Sequence, residues 1–209
     1  MILAELRLDV HNPSVQRALI DCNDMHRNLM KAFDCGVGAD PRKTVGLLYR
    51  LLMERSDARL LVLSNIGGDW SNLAKNGYTC LRERSVDALI ERFHTGARYG
   101  FDLVCVPAKK VAGEGKNSKR VSLKTAEERR AWLERKAQDG GFRPIFLMEA
   151  GTETVSGRRK GQPFSFTAIR MTGSLEVTDP ELFAKTYAEG VGSEKAYGMG
   201  MLLLGRDPR

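Results

Sequence analysis

A chain of 209 residues that is 42% hydrophobic can bury one large core or two small ones, which excludes global disorder. The 33 Lys+Arg against 26 Asp+Glu leave a net charge of +7 and a pI near 9.4, a balance that favours a polyanionic partner. No stretch reaches the roughly 18 consecutive apolar residues of a membrane-spanning helix, and MILAELRLDV, with Glu5 and Asp9, lacks the build of a signal peptide.

The first element is a strand over 2–10, where Ile2, Ala4, Leu6, Leu8 and Val10 alternate with Glu5, Arg7 and Asp9. Helical spacing follows over 14–35, interrupted near Asp21–Asp24. Strands are predicted at 44–53 and 59–66, a short helix at 69–75 after Gly67-Gly68, and a further strand at 78–81. The order is β-α-β-β-α-β.

The second half repeats it. A strand at 101–106 lies between Gly100 and Pro107, and 107–122 reads as a basic loop. Thr125 and Glu128 have capping-box spacing and open a helix that stops at Gly140-Gly141. Strands at 142–149 and 164–177 follow. Asp179-Pro180 starts a helix that Gly190 ends, and 197–204 closes the pattern as an apolar strand. Two such units predict an α+β protein of two tandem ferredoxin-like domains with antiparallel sheets, 1–93 and 98–209.

Cys22, Cys35, Cys80 and Cys105 show no close-paired spacing, so free thiols in a reducing cytoplasm are expected. Three scattered histidines give no metal-ligand spacing, and neither a metal nor a cofactor is expected. His11 and His94 read as surface residues. His26 differs. On a helix over 22–33 it sits at the seam between a buried stripe (Cys22, Met25, Leu29, Ala32, Phe33) and a polar arc holding Asn23, Arg27 and Lys31. There a ring can be held by packing while one nitrogen stays reachable for proton transfer. The bland alternative is a boundary histidine satisfying one hydrogen bond beside solvated cations.

GVGSEKAYGMG carries Gly190, Gly192, Gly198 and Gly200 around Lys195. It runs from helix into strand, opposite to a Walker loop, yet its amides and lysine can approach a phosphate. Tight strand packing is the competing explanation. Basic runs occur at Lys109-Lys110, at Lys116–Arg120 (Lys116, Lys119, Arg120) and at Arg158-Arg159-Lys160, the last at the expected tip of a hairpin. A basic ribbon of this kind can hold duplex phosphates. With no aromatic RNP-type motif, a stacking platform for single-stranded RNA is not expected.

In combination, NDMHRNLMKAF, VSLKTAEERRAWLERKAQDGGFRP and EGVGSEKAYGMGMLLL resemble the CasE family, the CRISPR repeat-RNA endoribonucleases of the type I-E Cascade complex. The resemblance runs over nearly the whole chain in order. It implies two ferredoxin-like domains and cleavage of CRISPR precursor RNA at the foot of each repeat stem-loop. The cut is metal-independent, by 2′-hydroxyl attack that leaves a 2′,3′-cyclic phosphate and a 5′-hydroxyl. It implies catalytic roles for His26, as base or as acid, and for Lys31, with Arg27 assisting. Lys195 and the glycine loop would cradle the backbone, and Arg158, Arg159 and Lys160 would hold the stem. The implied partners are CRISPR repeat RNA and other Cascade subunits. One departure stands out: the family tyrosine three residues before the histidine is Asn23 here. The alternative is a non-cleaving hairpin-binding subunit, which Asn23 favours and His26 opposes.

Overall fold

The computed structural model describes residues 1–33, 44–54, 57–111 and 119–207. Strand β1 (Ile2–Leu8) buries Ala4, Leu6 and Leu8 and lies inside its sheet. On its polar face Glu5 is also buried, paired with Arg59 at 3.2 Å and Arg82 at 2.5 Å from the flanking strands, while Arg7 stays exposed. Helix α1 (Pro13–Ile20) starts at Asn12, whose side chain accepts from the Ser14 N–H, with proline in the first turn. The chain turns extended at Asp21, which ends α1 and caps α2 (Cys22–Met30) by accepting from the Asn23 N–H at 2.9 Å. That one residue is the interruption expected in the long helical stretch. A 3₁₀ turn, Lys31–Phe33, continues α2.

Strands β2 (Leu48–Glu54) and β3 (Asp57–Ser64), the short helix α3 (Ser71–Ala74) and β4 (Tyr78–Ser85) complete an antiparallel sheet of order β2-β3-β1-β4. After a short helix, α4 (Asp87–Ile90), β5 (Arg98–Cys105) opens the second half. There follow the ribbon β6 (Ala108–Val111) and β7 (Lys119–Ser122), helix α5 (Ala126–Asp139), strands β8 (Phe142–Arg159) and β9 (Gln162–Val177), helix α6 (Pro180–Glu189), a 3₁₀ turn at Lys195–Tyr197, and β10 (Leu202–Gly205). Their sheet has the order β10-β5-β9-β8. In each sheet the unit's four strands run fourth, first, third, second, so both halves carry the ferredoxin-like topology expected from the sequence.

One core lies under the first sheet, around Leu6, Leu29, Leu60 and Leu73. The larger core joins the halves: Leu48 and Leu63 pack into the same cluster as Phe101, Leu103, Leu133 and Phe183. Arg50 on β2 reaches Asp102 on β5 at 3.3 Å, adding a half-buried ion pair across that junction.

Local departures from the sequence reading have physical causes. Residues 107–122 include a paired ribbon rather than only loop, because Lys109 and Lys110 face Val121 and Arg120 across antiparallel strands with no apolar core to mark them. Lys116 lies outside the described residues. Strands β8 and β9 extend far past the predicted 142–149 and 164–177, pairing out to Arg159 and Gln162. The turn between them holds Lys160 and Gly161 at φ 51° and 79°, as a tight hairpin connection requires. The final strand is confined to Leu202–Gly205 because the glycine loop occupies the residues before it.

Candidate functional site

The histidine helix folds as its pattern predicts. Cys22, Met25, Leu29, Ala32 and Phe33 are buried, Arg27 and Lys31 are exposed, and His26 is intermediate with its Nδ1 atom buried. With Nδ1 inside, the Nε2 edge is what the ring can offer a substrate. Arg27 pairs with Asp24 one turn back, and that carboxylate holds the guanidinium charge above the ordinary arginine range. Its charge is thus partly spent within the helix. Lys31 is held differently: its Nζ donates to Asn28 Oδ1 at 3.1 Å. Asn28 is itself buried, and its Nδ2 donates to Tyr78 Oη at 3.3 Å. Sequence reasoning missed Asn28, although an amide beside an apolar helical stripe is the sign of a buried polar group with fixed partners.

A second site forms where the ribbon β6–β7, helix α5 and the glycine loop meet. They enclose a groove of about 580 Å³ over Trp132, lined by Lys109, Lys110, Arg120, Arg135, Lys136 and Lys195, with Asp139 as its carboxylate. Runs separated in sequence therefore converge, and Arg135 and Lys136 join them. These two were not singled out because on a charged helix they look like ordinary solvated surface. Burial depresses the Lys195 ammonium below the ordinary lysine value, with Lys136 adding repulsion and Glu189 opposing both. A phosphate in the groove would relieve that cost. Two carboxylates restrain the cations: Glu128 holds Lys109 at 3.2 Å, and Glu194 lies 3.8 Å from Arg120.

The glycine loop is built by close approach. At Gly190 (φ 74°) a Cβ would lie 2.8 Å from the Gly200 carbonyl, and at Gly192 (φ 88°) it would press on Trp132 at 3.1 Å. The packing and phosphate explanations are thus compatible, since tight packing is what places Lys195 in the groove. The loop also reaches α2: the Tyr49 hydroxyl lies 3.3 Å from the Ala196 carbonyl and 3.5 Å from that of Cys22, sharing one proton between them.

Arg158, Arg159 and Lys160 are exposed at the hairpin tip, not in the groove. The tip instead folds onto the start of α2, where the Arg158 N–H donates to Asp21 Oδ1 at 3.2 Å. Gly157 makes this possible, because a Cβ there would lie 2.9 Å from Asp21 Oδ1, Cys22 Sγ and Phe164 Cζ. The basic tip and His26 are thereby brought to one helix. His11 and His94 are exposed. Among the described residues, no three His, Cys, Asp or Glu side chains converge as a metal site, and no helix is long and apolar enough to cross a membrane.

Comparison with known proteins gives this arrangement its context. The family model described as CRISPR associated protein matches residues 1–206. The CRISPR-associated endoribonuclease Cse3 of Thermus thermophilus is 32% identical, over 97% of this chain and 98% of its own length. A structure of Cse3 bound to a 19-nucleotide RNA superposes with a TM-score of 0.82 at 32% identity, covering 98% of this chain and all of the other. Thermus thermophilus Cse3 bound to an RNA representing a pre-cleavage complex gives 0.81 at 31% identity, covering 98% of both chains. The family match and the full-length likeness agree, and the chain belongs to the CRISPR associated protein family.

Proposed function

We propose that the protein is a CRISPR repeat-RNA endoribonuclease, cutting the precursor at the foot of each stem-loop and remaining with the guide RNA as a Cascade subunit in the cytoplasm. The observation that carries this is the convergence of a basic groove, a glycine loop and a histidine helix in a chain similar along its whole length to an RNA-bound endoribonuclease. The N-terminal unit, 1–93, supplies His26, Lys31 and Arg27, and the C-terminal unit, 98–209, supplies most of the RNA grip.

The reaction is an internal transesterification. The ribose 2′-oxygen attacks the adjacent phosphorus, the bond to the 5′-oxygen breaks, and the products are a 2′,3′-cyclic phosphate and a 5′-hydroxyl. One proton leaves the 2′-hydroxyl and one arrives at the 5′-oxygen. His26 handles one of these transfers, worth roughly 10²–10⁴-fold for a positioned group. Lys31, held by Asn28, stabilises the charge that grows on the phosphorane oxygens. Arg27, tied to Asp24, takes the lesser part. Lys109, Lys110, Arg120 and Lys195 neutralise stem phosphates, with Gly190 and Gly192 letting the backbone come close, while Arg158, Arg159 and Lys160 hold the strand beside α2.

A repeat RNA with a single 2′-deoxyribose directly upstream of the cut tests the mechanism. It is expected to bind like the all-ribose RNA and stay intact. Cleavage of that substrate at the ordinary rate would contradict internal attack.

A further inference from the structure

Three partly exposed aromatic rings meet beside the histidine helix. Phe164 and Phe166 lie on one face of β9 with ring centroids 6.3 Å apart and planes 13° from parallel. Tyr197, from the 3₁₀ turn of the glycine loop, adds its ring 5.1 Å from Phe164 and 6.1 Å from Phe166. Phe164 lies over Gly157, whose absent side chain also admits Asp21 and Cys22 of the α2 start. Cys22 and His26 are four residues apart on α2, one turn on the same face. The rings thus lie against the start of α2, the helix whose next turn carries His26.

Packing accounts for Phe164 covering a glycine and for Phe166 lying against Val104, Val106, Ala168 and Met199, yet both rings keep part of their surface open. In the cluster around Phe93, Phe142 and Phe183 these three rings are buried, with exposures of 6%, 1% and 0%, and only Tyr99 at its edge is partly open. Phe164, Phe166 and Tyr197 remain partly open to solvent, and Arg158 and Arg159 pair with Pro163 and Gln162 just before Phe164. They also adjoin the basic groove: Lys195 lines it, and Tyr197, two residues on, packs with Phe164 near the start of α2. A strand leaving the groove along the glycine loop meets these rings on its way to His26.

We propose that Phe164, Phe166 and Tyr197 form a seat for one unpaired base, the one directly 3′ of the scissile phosphate. The proposal rests on the endoribonuclease reading and deepens it. In a continuous A-form stack the 2′-oxygen, phosphorus and 5′-oxygen are far from collinear, so a flanking base has to leave the stack for in-line attack. A ring surface that captures the departing base holds the phosphate in attack geometry. Capture through a π-face accepts any of the four bases.

The test is single-turnover cleavage of a repeat hairpin carrying an abasic ribose directly 3′ of the scissile phosphate, beside the unmodified RNA, with the parent protein, Phe164→Leu and Tyr197→Leu. The parent is expected to cut the abasic RNA about 5- to 150-fold more slowly, the value of one base stacked on an aromatic ring. Each leucine variant is expected to slow the unmodified RNA comparably and to lose less than about twofold more on the abasic one. Its affinity for the cleaved stem, which lacks the downstream base, stays that of the parent. Equal parent rates on the two RNAs would overturn the seat without any appeal to the variants, as would leucine variants that lose stem binding as much as cleavage. If the parent cuts no repeat RNA of any kind, the endoribonuclease reading itself fails, a result distinct from cutting both RNAs alike.

Discussion

Asn28 is the residue through which the fold reaches the chemistry. Its amide is fixed by Tyr78 on one side and fixes the Lys31 ammonium on the other. Asn28→Ala should leave hairpin affinity within about twofold while lowering the single-turnover rate. It should also cost about 1–3 kcal/mol of stability for the groups left without partners, measured by urea unfolding. Asn23 bears on the rate in the opposite sense. It stands partly exposed in the first turn of α2, at the position where the resemblance to the CasE family implies a tyrosine. Asn23→Tyr is expected to raise the cleavage rate about tenfold or more, part of the roughly 10²–10⁴-fold that a positioned acid–base group contributes. An unchanged rate would show that His26 and Lys31 do not depend on such a group. Lys195 adds a pH signature. Burial lowers its pKa below the ordinary 10.5, so the folded protein loses this proton before the unfolded chain does. Stability from this residue therefore rises with pH between the folded and unfolded values, whereas RNA affinity falls as the charge is lost. Lys195→Arg should move that alkaline fall in affinity upward, read by filter binding across pH.

At the scale of elements, the hairpin of β8 and β9 is the longest feature and connects most of the site. It carries the basic tip, Phe164 and Phe166, and the contact with α2 through Gly157. Gly157→Val would drive a side chain into Asp21, Cys22 and Phe164, and is expected to detach the tip. Cleavage should drop more than tenfold while groove binding is kept, with faster proteolysis at Arg158 once its N–H has left Asp21. How legible each element is in the sequence follows from how local its physics is. Helix α5 is announced by Thr125 and Glu128, and the Glu128 N–H donates to Thr125 Oγ1 at 3.2 Å. Helix α6 starts on Asp179-Pro180 and stops at Gly190 for equally local reasons. The break between α1 and α2 is legible for the same reason, since Asp21 serves both helix ends. By contrast, the ribbon β6–β7 lacks the apolar alternation that marks a strand, and the aromatic group depends on Tyr197 meeting Phe164 across a long stretch of chain. Convergence of Arg135 and Lys136 with the ribbon is likewise a tertiary fact. His26 and its neighbours are the part of the site that helical periodicity places; Asn28 shows where periodicity stops, because only the fold brings Tyr78 to it.

For the molecule as a whole, the two sheets act as one body at their junction. Arg50 is buried with Asp102 as its nearest counter-charge, while Arg170 approaches the same carboxylate at 3.0 Å. Desolvation pulls the Arg50 pKa down and Asp102 opposes it. Asp102→Asn should therefore destabilise the protein toward the lower end of about 3–5 kcal/mol, since Asp102 is not fully buried and Arg170 is half exposed. A single cooperative transition with a lowered midpoint is the expected unfolding curve, because the larger core contains residues of both halves.

The decisive experiment incubates the purified protein, and His26→Ala beside it, with a CRISPR repeat hairpin in EDTA. A single cut by the parent alone, ending in a 2′,3′-cyclic phosphate, with equal RNA affinity for the two proteins, is the result predicted here. Binding without cleavage by either protein, or equal cleavage by both, would contradict a metal-independent ribonuclease centred on His26.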